Sequence, residues 1–242
     1  MKQATDLLKA GKLSEAIQAV IAVIKEHPTD DKARTFLFEL LCFSGEYDRA
    51  EKHLDALIEN KTETIHGAIL YKAAIHAQKT RASFFANGEY KNSAAETAPV
   101  VSATINGKSY TSVSDCDPRV GARLEVYAGG GFMWIPFQHI ERIETEKPRR
   151  LRELLWLPAR LVTGPSFHET DLGDVLLPVL TPEATTDESE LVKLGRETYF
   201  ALDEEGNEIP VGQKMLLADG EEIPLLDARE IVFHAAQSEQ AE

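Results

Sequence analysis

The sequence predicts an α+β protein. An N-terminal tetratricopeptide-like α-α superhelix is followed by a mostly antiparallel β-rich domain, a sheet or small barrel with one or two short helices. A turn motif recurs after 34 residues near the N-terminus, which is the tetratricopeptide period. The apolar pattern changes from the helical period of 3.6 to the strand period of 2 after Pro99. Short strand-like runs then alternate with turn signals every eight to twelve residues towards the C-terminus.

The recurring motif marks the turns inside two helix pairs. Segment 11–16 (GKLSEA) aligns with segment 45–50 (GEYDRA). In each, glycine lets one helix end and the next begin, while alanine lets two backbones approach closely. Helices are predicted at 3–10, 13–27, 32–43, 47–60 and 63–86. A third turn at 87–90 comes 43 residues after Gly45, so the array is incomplete and is expected to depend on the domain that follows.

The β-rich part begins at a hairpin signal. Runs 100–105 and 109–114 flank Asn106-Gly107, a dipeptide that favours a tight turn between strands. Further strands are predicted near 123–128, 132–137, 140–145, 157–163, 174–180, 197–202, 213–218 and 230–234, and short helices at 149–155 and 187–193. The pattern divides the chain into a helical domain (1–98), a β-rich domain (99–234) and a flexible tail (235–242).

The stretch 115–161 contains both tryptophans of the chain, Trp134 and Trp156. The predicted strand 132–137 is apolar on both faces, which is typical of a strand covered on both sides by its own domain or by a partner. Trp134, Phe137 and Trp156 are therefore either core residues or the anchors of a partner-binding surface. Their apolar neighbours favour the core.

The formal net charge is −14, and most of it is concentrated near the C-terminus. Residues 181–242 hold 4 basic and 16 acidic side chains, so this quarter carries 12 of the 14 excess negative charges. The surplus is either a solvated face that keeps the protein soluble or a steering surface for a basic partner. Both interpretations argue against a nucleic-acid partner, which requires clustered Lys and Arg to neutralise phosphates.

The cysteines and the N-terminal apolar run indicate a cytoplasmic protein without a membrane partner. Cys42 and Cys116 are 74 positions apart in different predicted domains, so a disulfide framework is not expected. The apolar run at 16–24 is far shorter than the roughly 20 residues that span a bilayer, and no cleavage site follows it. We predict a buried helix there, and the oligomeric state stays open.

No catalytic constellation is complete in this sequence. Gly107-Lys108-Ser109 copies the end of a phosphate-binding loop, but Ser102 replaces the earlier glycine, and a tight hairpin cannot cradle phosphates. Asp115 and Asp117, beside Pro118, are more typical of a turn than of a metal site. The seven histidines show no convergent set of four zinc ligands. The sequence therefore predicts no cofactor, no metal and no enzymatic activity.

The helical array offers a binding surface instead, since such arrays hold peptides and helices. The inner helix of the second repeat is expected to present four residues towards the concave side: Lys32, Thr35, Glu39 and Cys42. That face lacks the basic clamp that grips acidic chain ends, which argues against one alternative, a general tetratricopeptide co-chaperone. Another alternative is an enzyme of unknown reaction with a polar site at the domain junction. Its polar members would be Asp115, Asp117, Arg119 or Arg196.

A set of short motifs in a fixed order carries a family resemblance. They are Asp115-Cys116-Asp117-Pro118-Arg119, Leu124-Glu125, Trp134-Ile135-Pro136-Phe137, Leu154-Leu155-Trp156 and Pro158-Ala159, followed by Leu177-Pro178, Leu194-Gly195-Arg196 and Gly212-Gln213. In this order and spacing they resemble the ImpE family, also called TagJ or SciE. Its members are accessory proteins encoded with bacterial type VI secretion systems. With the helical N-terminus, the resemblance covers most of residues 1–230.

The resemblance implies a non-catalytic cytoplasmic adaptor. Members of the family are implied to bind the small subunit of the contractile sheath through that subunit's N-terminal helix, and so to influence sheath handling around the recycling ATPase. A helix bound in a groove would suit the helical array or its junction with the β-rich domain. The candidate partner-binding residues are Lys32, Thr35, Glu39, Trp134, Phe137 and Trp156.

Overall fold

The computed structural model describes residues 1–60, 65–93, 100–167, 172–203 and 205–234. Its first part is a series of helices, in which each of α1 to α4 packs on the next helix along the chain. They are α1 (Lys2–Lys9), α2 (Leu13–Glu26), α3 (Asp31–Phe43), α4 (Tyr47–Asn60), α5 (Ile65–Ala86) and the short α6 (Tyr90–Ser93). The first four begin and end within one residue of the predicted bounds. The predicted start of the fifth, at 63, lies outside the described residues.

Two glycines occupy the turns that the repeat predicts. Gly11 and Gly45 have φ values of +79° and +75°, in the left-handed region that residues with a Cβ rarely adopt. A Cβ on Gly45 would also lie 3.3 Å from the backbone oxygen of Thr185. Ala16 and Ala50, the alanines of the motif, are completely buried. The repeat therefore reflects a backbone constraint at the glycine and a packing constraint at the alanine.

Twelve strands follow in the described part of the chain. They are β1 (Val101–Ile105), β2 (Lys108–Asp115), β3 (Arg123–Ala128), β4 (Gly131–Pro136), β5 (Ile140–Thr145), β6 (Trp156–Thr163), β7 (Gly173–Pro178), β8 (Tyr199–Leu202), β9 (Glu208–Val211), β10 (Met215–Ala218), β11 (Glu221–Pro224) and β12 (Glu230–His234). Ten form one antiparallel sheet in the order β11-β10-β2-β1-β12-β5-β6-β7-β3-β4, and β8 and β9 form a second, two-stranded sheet. The predicted α+β class and the mostly antiparallel sheet are confirmed.

Several short elements differ from the sequence prediction. The pattern does not predict β9 and β11, because each has four residues and includes a proline, which is unfavourable inside a strand. The helix predicted at 149–155 is a single 3-10 turn, Leu151–Leu154, because β6 begins two residues later. The helix predicted at 187–193 is reduced to α7 (Glu190–Lys193), since Ser189 has an extended backbone.

The large sheet curls, and its two faces contribute to two different cores. The inner core contains Leu124 and Ile135 from β3 and β4 together with Leu216 and Ile223 from β10 and β11, so strands at opposite ends of the sheet meet there. The outer core lies between the sheet and the helices and includes Trp156 of β6. Burial of apolar side chains in the outer core supplies the main driving force for docking the helices on the sheet.

Strand β4 illustrates this arrangement. Met133 and Ile135 pack with the inner core, whereas Phe132 packs against the outer core. Trp134 shares the side of Phe132, and its ring lies 5.0 Å from that of Phe84 on α5. The strand is covered on both sides by its own chain, as its two apolar faces predict.

The helical array and the sheet share one buried cluster. Trp156 stacks on Tyr71 of α5 at 6.0 Å, and Leu180 and Val211 lie in the same cluster as the array's own core. The incomplete array therefore packs against the β-rich part, and its dependence on that part for stability stays a prediction. The predicted boundary at 98/99 and the predicted tail at 235–242 lie outside the described residues.

Candidate functional site

A groove opens where the N-terminal half of α5 meets the large sheet. Its volume is about 570 Å³, within the range of protein pockets that bind ligands. One wall is α5, and the others come from the β3–β4 turn and from β5, β6 and β7. Its apolar lining includes Leu70, Tyr71, Ala73, Tyr127, Pro158 and Leu176.

Exposed apolar side chains stand beside this groove. Leu70, which lines it, is 48% exposed, and its neighbour Ile69 on α5 is 56% exposed. Full burial of such a side chain contributes about 1.5–3 kcal/mol, so leaving two adjacent ones in water is unfavourable unless a partner covers them. This end of α5 has the character of an interaction surface.

The β3–β4 turn forms one end of the groove. Gly130, at the tip of the turn, has a φ of +83°, and a Cβ placed on it would lie 3.4 Å from the Cβ of Ala73 on α5. Small residues on both sides let the turn approach the helix closely. The width of the groove at this end is therefore set by glycine and alanine.

Charged side chains form the rim on the sheet side. Arg160 of β6 lies between Glu144 of β5 and Asp174 of β7 in the strand register. Directly opposed cross-strand residues share a face, so this is a row of alternating charge. Glu146 adds a further carboxylate to the lining, which makes the groove apolar in its walls and acidic at its rim.

The other end of α5 is fixed by a buried ion pair. Arg81 is completely buried, and its Nε and Nη2 donate to the two carboxylate oxygens of Glu125 on β3 at 2.8 and 2.6 Å. Its Nη1 donates to the backbone oxygen of Leu180 at 3.0 Å. This bidentate geometry is directional, so it defines how α5 lies across the sheet.

Lys214 extends the buried cluster to the second carboxylate. Its Nζ lies 2.6 Å from both Glu125 and Asp115, and all three side chains are buried. Burial acts to raise the pKa of Glu125, but Arg81 and Lys214 together hold that pKa well below its ordinary value. For Asp115 burial prevails over Lys214 and raises the pKa to about 6. Two carboxylates that share one lysine therefore differ in their tendency to bind a proton.

A family model described as "ImpE protein" matches residues 107–232, just over half of the chain. The chain belongs to the ImpE family. A tetratricopeptide repeat model matches residues 7–74 of the same chain. This agrees with the helical array seen before the sheet.

Two further comparisons place this ImpE chain among known proteins. It is 28% identical over 262 aligned positions to a Pseudomonas aeruginosa protein named type VI secretion system accessory component TagJ, with 95% of this chain and 90% of that protein covered. The crystal structure of protein VPA1032 from Vibrio parahaemolyticus superposes with a TM-score of 0.85 at 22% identity, covering 97% and 98% of the two chains. The second comparison shows that the fold is shared.

The polar residues considered for an enzyme do not form one site in the ImpE chain. Asp117 accepts from Arg119 Nη2 at 2.7 Å, and Arg119 Nη1 reaches Glu183 at 2.6 Å. Arg196 instead donates to the backbone oxygen of Lys9, at the end of α1. Asp117 and Arg119 are therefore bonded to each other, Asp115 pairs with Lys214, and Arg196 lies apart from all three against α1. Within the described ranges, no group of three His, Cys, Asp or Glu side chains could hold a metal ion.

The predicted residues on α3 have different environments. Lys32 is exposed, and the hydroxyl of half-buried Thr35 donates to the backbone oxygen of Asp31. Glu39 is buried and accepts from Arg152 Nη1 at 2.8 Å, so its carboxylate is already bonded to a residue of the β-rich part. Burial raises the pKa of Glu39 more than Arg152 lowers it. The part of this helix face that stays open is the end that carries Lys32.

The predicted aromatic anchors are mainly covered by the chain itself. Phe137 and Trp156 are each 1% exposed, and Phe137 stacks on Phe233 at 4.7 Å. Trp134 is half-buried, and its indole Nε1 donates to Glu125 at 3.4 Å. In this conformation Phe137 and Trp156 offer no accessible side chain to a partner. Trp134 keeps part of its surface accessible.

Sequence patterns indicate neither the groove nor the buried charges. Arg81 sits in a helix whose apolar residues are not concentrated on one face, Glu125 sits in an apolar strand, and Lys214 directly precedes the apolar strand β10. An ionisable residue inside an apolar run is a signal of buried pairing. The partner, however, depends on which elements meet.

No helix in the described ranges is both long and apolar enough to cross a membrane.

Proposed function

We propose that this ImpE chain is a non-catalytic accessory protein of a type VI secretion system. It works in the cytoplasm as an adaptor that binds the small subunit of the contractile sheath through a helical segment of that subunit. Family membership and the relative named as an accessory component of this system support the pathway. The tetratricopeptide repeats support a role in protein binding.

The groove beside α5 is the observation that carries the sheath-binding part of the proposal. It lies at the junction of the helical array and the sheet, and its walls are apolar. A helix that lays its apolar face into such a groove is a common mode of peptide recognition. The exposed Ile69 and Leu70 would be covered by that helix. Lys32, Thr35 and Trp134 keep accessible surface and are secondary candidates for contact.

Isothermal titration calorimetry tests the proposal with the full-length chain. The probe is a peptide with the N-terminal sequence of the sheath small subunit from the same organism. We expect a dissociation constant in the micromolar range, about −8 kcal/mol. Ala73→Arg places a long side chain in the groove and is expected to weaken binding at least about tenfold, a loss of about 1.4 kcal/mol.

Ala86→Arg provides the matched control, since Ala86 is exposed at the far end of the same helix. It is expected to bind the peptide as the wild type does, and circular dichroism checks that both variants are folded. Absence of heat at tens of micromolar peptide would contradict the sheath partner. Undiminished binding by Ala73→Arg would contradict the groove as its site.

A further inference from the structure

Strand β8 forms an open edge on a different part of the molecule from the groove. It pairs with β9 in the small sheet, and no other strand in the described part of the chain pairs with it. The strand has the sequence Tyr-Phe-Ala-Leu, without a charged residue or a proline. Natural edge strands usually carry such residues to prevent pairing with other chains.

Pro210 determines which backbone groups face this edge. It lies opposite Phe200 in the register, and because proline has no N–H, the two residues form a non-hydrogen-bonded pair. The N–H of Asp203 donates to the backbone oxygen of Asn207 at 2.9 Å, which continues the same alternation along the strand. The N–H and C=O groups of Phe200 and Leu202 therefore point away from β9, towards the open side.

The side chains of the same two residues are accessible. Phe200 is 42% exposed and Leu202 is 70% exposed, and neighbouring Tyr199 is 45% exposed. Residues two apart in a strand share a face, so Phe200 and Leu202 form one apolar surface beside the open backbone groups. An edge of this kind offers hydrogen bonds and apolar contacts to an added strand.

The surroundings of β8 are strongly acidic. Residues 187–208 contain eight acidic and two basic side chains. Glu197 and Glu208 are exposed next to the strand, whereas Glu205 is paired with Lys91 of α6 at 2.6 Å. A second copy of this chain would bring the same negative charge to the edge and would be repelled. A segment that carries Lys or Arg would be attracted.

We infer that the β8 edge binds an extended, basic segment of a partner protein by strand addition. The partner's apolar side chains alternate along its strand and cover Phe200 and Leu202, while its Lys or Arg side chains face the surrounding carboxylates. The acidic C-terminal quarter thereby acts as a steering surface. This interaction surface shares no residue with the groove, so it can be tested without the sheath peptide.

Nuclear magnetic resonance of the labelled full-length chain tests this inference, because it detects weak binding and reports its location. The probe is a synthetic peptide of about six residues in which valine and lysine alternate, the usual length of a strand. At up to about 1 mM peptide, we expect shifts and slower amide exchange at Phe200 and Leu202. The counterpart with glutamate in place of lysine is expected to produce neither effect.

Two variants complete the test. The double variant Phe200→Ser, Leu202→Thr is expected to weaken binding of the lysine peptide at least about tenfold. Leu217→Thr is the control, since Leu217 is also an exposed leucine (39%) but lies in β10, which is paired on both edges. Equal binding of the two peptides, unchanged binding by the double variant, or shifts confined to other strands would overturn the inference. Concentration-dependent shifts at β8 without peptide would point to self-association and would also overturn it.

Discussion

At the scale of single residues, Asp115 and Asp117 combine a local role with a distant one. The carboxylate of Asp115 accepts from the N–H of Asp117 at 2.9 Å, and that of Asp117 accepts from the N–H of Arg119 at 3.0 Å. These are the turn contacts that the sequence predicts beside Pro118. The pairing of Asp115 with Lys214 joins residues 99 positions apart and depends on β2 lying next to β10. Local chemistry predicts the first role, and tertiary pairing decides the second.

The raised pKa of Asp115 predicts a pH dependence of stability. Burial raises that pKa from 3.8 to about 6, against the opposing effect of Lys214. Between these values the folded protein holds a proton that the unfolded chain has lost, so this residue's contribution to stability decreases as the pH rises. Asp115→Asn removes the titration. The free energy of unfolding of the wild type, relative to this variant, is expected to fall by about 2 kcal/mol from about pH 4.5 to pH 7.

Urea denaturation of both proteins at several pH values measures this difference. Glu125 is present in both, and its lowered pKa makes its own contribution fall as the pH drops below the ordinary glutamate range. That effect develops mainly below about pH 4.5, outside the pH interval that is compared. Parallel pH profiles for the two proteins would show that Asp115 does not hold a proton in the folded state.

At the scale of elements, the β3–β4 turn and α5 depend on each other. The sequence Gly129-Gly130-Gly131 predicts a hairpin, and the structure confirms it with two positive φ values, at Gly129 and Gly130. The contact of Gly130 with Ala73 does not follow from the hairpin pattern. It arises because α5 crosses the sheet at that point, which depends on the Arg81–Glu125 pair farther along the helix.

Valine substitutions separate the two constraints on this turn. A Cβ on Gly129 would meet no atom within 4 Å, so Gly129→Val is expected to cost about 1–2 kcal/mol, mainly from the left-handed backbone. Gly130→Val carries the same backbone cost and also presses on Ala73, so its loss in the free energy of unfolding is expected to be larger. Urea denaturation measures both. Equal losses in the free energy of unfolding would mean that the turn does not pack tightly against α5.

Elements were predictable from the sequence to different degrees, for physical reasons. The bounds of α1 to α4 follow closely from a repeat whose glycines and alanines have fixed steric roles. The short strands β9 and β11 escape prediction because four residues carry little periodic signal and a proline opposes it. The 3-10 turn Leu151–Leu154 is shorter than predicted, since the strand that follows it begins at Trp156.

At the scale of the whole molecule, the array and the sheet share a core. The sequence pattern divides the chain at 98/99, and composition changes there as well. The buried side chains nevertheless form a cluster that draws on both parts, with Trp156 against Tyr71. The incomplete repeat predicts that the array relies on the β-rich part, but the two periodic patterns do not indicate which side chains meet, because the surface between the parts has no period of its own.

A shared core predicts cooperative unfolding. Urea transitions followed by far-ultraviolet circular dichroism, which reports mainly on the helices, and by tryptophan fluorescence are expected to have the same midpoint. Trp134→Phe leaves Trp156 as the sole tryptophan, so the fluorescence then reports on the boundary between helices and sheet. Loss of the helical signal at a lower urea concentration would show that the array unfolds by itself.

The buried ion pair of Arg81 and Glu125 also makes α5 a lever. Its fulcrum is the bidentate pair with Glu125, and Tyr71, in the groove wall, lies ten residues away. At 1.5 Å per residue, the lever arm is about 15 Å. A tilt of about 5° at the fulcrum moves the wall by roughly 1.3 Å over that arm, enough to change which side chains fit between helix and sheet. A tilt at the buried cluster would thus alter the geometry of the groove wall at Tyr71, about 15 Å along the helix.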